Sequence, residues 1–261
     1  GGSRNTPGEL TYWEVDTGNL RQRQYGLSSR VVHLSASKDG KVVAALSDGM
    51  VRIWNRSNSS EALSLRVDPQ EVAAIAFAPD GFSFATAGKS GRVSLWNSSA
   101  GSETLNLSFP GFVNTVVFNP DPKRTILAAA GSQGKVQWWD LDNHPERAMP
   151  IDGHEKPVYA LAFSPDGNYL ATGGDERKVR LFDLRRPGEK PLLLEGHTGL
   201  IQALAYRPDG GLLASAGDDD SIRLWDPTTG QPIKTLVGHT NGILCLAFSP
   251  DGNWLASGSY D

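Results

Sequence analysis

The stretch GHTGLIQALAYRPDGGLLASAGDDDSIRLWD, residues 196–226, decides the fold. It passes from a Gly-His pair through an apolar run (200–206), a Pro208-Asp209-Gly210 turn and a second apolar run (212–216). An acidic turn follows, then a third run closing on Trp225-Asp226. Short apolar runs separated by turn residues read as hairpin-linked strands, and none is long enough for an amphipathic helix.

The stretch recurs. Trp13, Trp54, Trp96, Trp139, Phe182 and Trp225 close successive third strands at intervals of 41, 42, 43, 43 and 43 residues. A period of that size marks stacked supersecondary units. The pattern places first strands at 31–36, 72–77, 113–118, 158–163, 201–206 and 243–248, most of them followed by Pro-Asp-Gly or a close variant. Inner strands are expected to be apolar on both faces. The fourth strands, such as PIKTLV at 232–237, alternate and are expected to wet one face.

With Gly-His pairs at Gly153-His154, Gly196-His197 and Gly238-His239, and Trp-Asp closures at Trp139-Asp140 and Trp225-Asp226, the chain resembles the WD-repeat β-propellers. Its SPDG-type turns are similar to those of bacterial WD-repeat arrays. The resemblance implies an all-β propeller forming a single domain over residues 1–261. Residues 1–15 enter in mid-blade, and the last repeat stops after its second strand. The expectation is six four-stranded blades' worth of sequence, the last completed by the N-terminal strands; the alternative is a piece of a seven-bladed or longer array.

The formal charge of -4 and pI near 5.8 provide no basic stripe for nucleic acid and no attraction to an anionic membrane. No apolar run approaches the ~20 residues needed to span a bilayer. A single cysteine, Cys245, excludes an internal disulfide and a Cys-based zinc site, and sits in an apolar run as a small core residue. No motif for a cofactor or metal is present; Gly88-Lys89-Ser90 lacks the first glycine of a phosphate loop. The sequons at Asn55, Asn58, Asn97 and Asn106 matter only in a secreted protein. A cytoplasmic location is expected.

His197, Ser215, Asp219 and Trp225 invite a catalytic-triad reading. A triad occurs once, whereas this set returns as His239, Ser257, Asp261 and, if the ring closes, Trp13. In WD repeats these positions form a buried structural tetrad, and the resemblance implies the same here. The repeat that closes on Phe182 has His154 and Thr172, but Glu176 replaces the acid and Phe182 cannot donate, so its network is expected to be broken. Earlier repeats lack the Gly-His pair and carry Ala44, Thr86 and Ala129 at the Ser/Thr position. They are expected to rest more on apolar packing and to open more readily.

Related propellers bind partners on the face formed by the loops entering the first strands and the turns before the third. On this chain those positions are Arg30, Glu71, Lys89, Phe112, Asn114, Tyr159, Asp175, Leu200, Gln202, Asp218, Leu244 and Tyr260. Aromatic anchors beside charges are what peptide-binding hot spots use. The expected function is a non-catalytic scaffold for a protein or peptide partner, one with basic side chains to meet Asp175 and Asp218. The alternatives are a propeller hydrolase with axial carboxylates, or a sensor module of a larger protein.

Overall fold

The first strands open on Val or Ile and mostly end on an aromatic ring, a composition that favours pleated, covered surfaces. The structure is a computed structural model describing residues 9–13, 17, 19–24, 27, 29–37, 40–55, 61–68 and 70–261; for Trp13, Arg21, Gln22, Gln24, Glu61 and Ala62 it describes the backbone alone. The chain divides into two compact units, Gly1–Val113 and Asn114–Asp261.

In the first unit, β1 (Leu10–Trp13) pairs with β2 (Leu20–Gln24). Next come β3 (Val31–Ala36), β4 (Lys41–Leu46), β5 (Met50–Asn55) and β6 (Glu61–Arg66), one antiparallel sheet in chain order. A second is built the same way from β7 (Val72–Phe77), β8 (Ser83–Gly88), β9 (Arg92–Asn97) and β10 (Glu103–Ser108). Val43, Ile53, Val72, Ile75 and Phe84 fill the space between these two sheets, with Phe84 stacked on Trp96 at 6.3 Å.

The second unit repeats the plan. Its first sheet contains β11 (Val113–Phe118), β12 (Ile126–Gly131), β13 (Val136–Asp140) and β14 (Met149–Ile151). Its second contains β15 (Val158–Phe163), β16 (Tyr169–Gly174), β17 (Lys178–Asp183) and β18 (Leu192–Glu195). The third contains β19 (Ile201–Tyr206), β20 (Leu213–Gly217), β21 (Ser221–Trp225) and β22 (Pro232–Val237). A final pair is β23 (Ile243–Phe248) with β24 (Leu255–Ser259). These four-stranded sheets are propeller blades, and the six first strands fall where the sequence period places them. Leu170, Ala171, Leu213 and Trp225 are fully buried between blades of this unit.

Two expectations about exposure are corrected. β22 does not alternate: every residue but Leu236 is exposed, because β22 is the outer edge strand and little covers either face. Cys245 is exposed, not a core residue. Its counterpart Ala203 on β19 is buried where β23 packs against β19; among the described residues of this unit no further sheet lies over β23.

One irregularity recurs. In five first strands the ladder skips the second residue: Val31 and His33 pair with β4, and Val72 and Ala74 with β8. The same step separates Val158 from Ala160, Ile201 from Ala203, and Ile243 from Cys245. Such bulges leave a residue outside the ladder and re-aim its side chain. Val32, Ala73, Tyr159, Gln202 and Leu244 are those residues. Where Val158 and Ile201 face Gly174 and Gly217, a Cβ on either glycine would collide with the carbonyl of Pro157 or Leu200.

The turns before β5, β9, β13, β17 and β21 each contain a left-handed residue. Gly49, Gly91 and Gly134 take that conformation without cost, but Arg177 (φ 61°) and Asp220 (φ 59°) carry side chains into it. L-residues are disfavoured there by about 1–2 kcal/mol, part of which glycine returns as extra freedom of the unfolded chain. Arg177 is exposed, so Arg177→Gly is expected to stabilise the chain by about 0.5–1 kcal/mol, read as a higher urea midpoint.

Candidate functional site

The loop before β19 and the turn between β20 and β21 bring His197, Ser215, Asp219 and Trp225 together. His197 places Nδ1 2.8 Å from Asp219 Oδ2 and Nε2 2.7 Å from Ser215 Oγ, and the Trp225 indole N–H donates to Ser215 Oγ at 2.8 Å. One proton arrangement satisfies every atom. Asp219 is ionised and accepts Nδ1–H together with the Thr198 amide (2.9 Å) and the Ser221 hydroxyl (2.8 Å). Ser215 then donates to Nε2 and accepts from the indole. Burial lowers the His197 pKa, keeping it neutral, while hydrogen bonds from Thr198 and His197 outweigh burial and lower that of Asp219. Ser215 is completely buried, so no substrate atom can reach it.

His239 repeats the geometry, with Nδ1 2.9 Å from Asp261 and Nε2 2.8 Å from Ser257, but in a more exposed setting. Thr240 N–H and His239 bring the Asp261 pKa down to about 2. The side chain of Trp13, the expected fourth member, lies outside the described residues.

The network expected to be broken is kept only in part. His154 Nε2 lies 2.6 Å from Thr172 Oγ1 and its Nδ1 3.3 Å from Glu176 Oε2, while the Glu155 amide donates to Glu176 Oε1 at 2.6 Å. Glu176 Oε2 also lies 2.6 Å from Arg180 Nη2 but accepts no hydrogen bond among the described residues, so the histidine–acid hydrogen bond and the indole donor are both missing and the Arg180 contact is an ion pair. Burial and the Arg180 charge push the His154 pKa down to about 4, against the pull of Glu176.

The earlier repeats divide. Leu27 and Phe109 are buried at the position of the histidine, and Ala44 and Ala129 at that of the serine, so those two rely on packing. The β7–β10 sheet keeps a polar version that the sequence pattern missed. Trp96 Nε1–H donates to Thr86 Oγ1 at 3.0 Å, and the Ser90 hydroxyl donates to the buried carboxylate of Asp68. Asp68 stands where later repeats have histidine, and Ser90 where they have the acid. The spacing of four residues before the first strand would have found it.

Each unit presents part of the expected binding set. In the first, Glu71 is bridged by Lys89 (2.6 Å) and more loosely by Arg30 (3.8 Å), and Phe112 is 56 % exposed. In the second, Asn114 is half-buried and donates to the Val158 carbonyl at 3.0 Å, a link between adjacent first strands. Tyr159, Gln202 and Leu244 occupy the bulges of three neighbouring blades. The Tyr159 phenol has its pKa raised by burial and then by the negative charges of Asp175 and Asp218. Gln202 donates to Asp218 at 3.2 Å, and Asp218 lies against Gly242 in the loop before β23. Leu200 is half-buried, whereas Leu244 (40 %) and Tyr260 (70 %) are exposed beside that loop. The second unit thus offers an aromatic ring, two carboxylates and exposed apolar groups at one end of its strands. Among the described residues no cluster of His, Cys, Asp and Glu could hold a metal ion.

The family model described as "WD domain, G-beta repeat" matches residues 19–55, 63–97, 146–183, 188–226 and 230–261. The chain is 30 % identical over 169 residues to the WD repeat-containing protein VIP3 of Arabidopsis thaliana, covering 59 % of this chain and 52 % of that protein. It is 25 % identical over 161 residues to the target of rapamycin complex subunit wat1 of Schizosaccharomyces pombe (61 % and 51 %). It is 30 % identical over 132 residues to the serine-threonine kinase receptor-associated protein of Gallus gallus (50 % and 36 %). The chain thus spans about half the length, or less, of these relatives.

Proposed function

The chain belongs to the WD domain, G-beta repeat family, and on that premise we propose that it is a non-catalytic interaction scaffold whose second unit binds a Lys- or Arg-bearing segment of a partner protein. The observation that carries the reading is that Tyr159, Gln202 and Leu244 leave the ladder at the same end of three neighbouring blades, with Asp218 bonded to Gln202 and the charges of Asp175 and Asp218 felt by the Tyr159 phenol. A ring face attracts a cation, and two carboxylates beside it add Coulomb attraction in a partly desolvated place. Leu244 and Tyr260 supply apolar contact next to the charges, the composition of a peptide hot spot. Two relatives are named for association, one with a kinase receptor and one with a complex, which supports a protein as partner. The closed Ser215 network speaks against a serine-triad hydrolase.

The test is selection of random peptides displayed on phage. Peptides enriched by the native chain should carry Lys or Arg, and Asp175→Ala with Asp218→Ala should weaken them by about tenfold or more at an unchanged melting temperature. Enrichment without basic residues, or equal binding by the variant, would refute the assignment. Turnover of a substrate that the same double variant abolishes would point to an enzyme.

A further inference from the structure

A second recognition surface lies at the other end of the strands. β15 and β19 run away from Tyr159 and Gln202 towards the turns that begin at Ser164 and Arg207. There the second unit has a cleft of 770 Å³ between the β15–β18 and β19–β22 blades. That volume is in the range of ligand-binding clefts, roughly 300–1,000 Å³.

Its apolar lining comes from Pro165, Tyr169, Leu181, Leu192, Tyr206 and Pro227. Two tyrosines and two prolines are rigid surfaces that lose little freedom on contact. Tyr169 is held in place: the Arg185 guanidinium lies 5.0 Å from its ring centre and donates to its hydroxyl at 2.7 Å. Tyr206 is different. Its hydroxyl is buried and has no hydrogen-bond partner among the described residues, so Tyr206 lines the cleft with its ring and not with its hydroxyl.

The charge of the lining is uneven. Four carboxylates face one ammonium, Lys190. Asp183 and Asp209 are each matched by a guanidinium at 2.7 Å, from Arg185 and Arg207. Asp166 accepts from hydroxyl, amide and backbone donors and feels the Arg185 charge without an ion pair to it, and Glu189 makes a loose 3.7 Å contact with Arg186. Two acids therefore remain available to a cation.

We propose that this cleft docks a short, extended, proline-rich peptide carrying a Lys or Arg. A polyproline II segment has no internal hydrogen bonds and is already ordered, so its rings pack on tyrosine and proline at small entropic cost while its carbonyls seek donors. The tyrosine and proline faces of the lining meet the peptide's rings, and Asp166 and Glu189 meet its cation. This surface is independent of the one around Tyr159.

The experiment is fluorescence anisotropy of the full chain with a fluorescein-labelled peptide of proline and leucine containing one arginine. Saturable binding is expected. Glu189→Lys with Leu192→Lys, both exposed positions, should weaken it by about tenfold or more, as should exchange of the peptide's arginine for glutamate. The Asp175→Ala, Asp218→Ala chain should bind as the native one does. Should the double lysine variant melt early, Glu189→Gln alone serves, with a smaller loss expected. The proposal is overturned if the native chain shows no saturable binding, if the cleft variants or the glutamate peptide bind equally well, or if binding is lost in the Asp175, Asp218 variant instead.

Discussion

Replacing Trp225 by alanine is expected to destabilise the chain by about 3–5 kcal/mol, the range for removing a large aromatic side chain from a packed core. The indole is completely buried among Ala171, Leu181, Ile201 and Leu213, so its loss leaves a cavity that backbone ladders on both sides prevent from collapsing. It also removes the N–H that Ser215 accepts, and a buried hydroxyl deprived of one partner adds to the cost. Urea denaturation monitored by circular dichroism measures the effect. Trp254→Ala is the control: that ring is 76 % exposed, and its removal should change stability by no more than about 0.5 kcal/mol. Comparable losses at the two positions would contradict the burial argument.

The second large effect is acid sensitivity. The His154 pKa lies at about 4 in the folded chain against an ordinary value of 6.5, so in that interval the unfolded chain binds a proton that the native chain refuses. Stability is therefore complete above about pH 6.5, falls as the pH drops, and levels off for this group below about pH 4. A difference of that size corresponds to about 3 kcal/mol. His197, lowered by the same burial, acts in the same direction. Glu176 and Asp219, whose folded pKa values are also lowered, lose their contribution as the pH falls further through those values. Urea midpoints between pH 7.5 and 4.5 should fall steeply, and His154→Gln should flatten the curve. A midpoint constant over that range would show that the histidines are not held neutral.

The repeat period was legible in the sequence because it is written locally. A Pro-Asp-Gly turn or an apolar run has one meaning wherever it occurs, so all six first strands could be placed. The side-chain networks were less legible, since they depend on reach. Nothing in the letters of Glu176 says that one added methylene still spans to His154 while engaging Arg180. Asp68 takes the histidine's place and Ser90 the acid's, an inversion that the Gly-His pair does not mark and that only the spacing to the first strand reveals. The exposure of Cys245 depends on what packs against β23, which no property of β23 itself encodes. The Tyr206 cleft was invisible for a similar reason: it is assembled from turns of two repeats and the segment before β18.

The bulge in the first strands has a consequence for how such a chain can diversify. A residue outside the ladder does not set strand register and is at most partly buried, so selection on stability constrains it less than its neighbours. Val32, Ala73, Tyr159, Gln202 and Leu244 already differ in size, polarity and aromaticity at this one structural position. Lineages can therefore exchange partners one point substitution at a time, each tried on an intact framework and each reversible. Duplicated repeats inherit the position with the fold, and every copy adds another independently variable site.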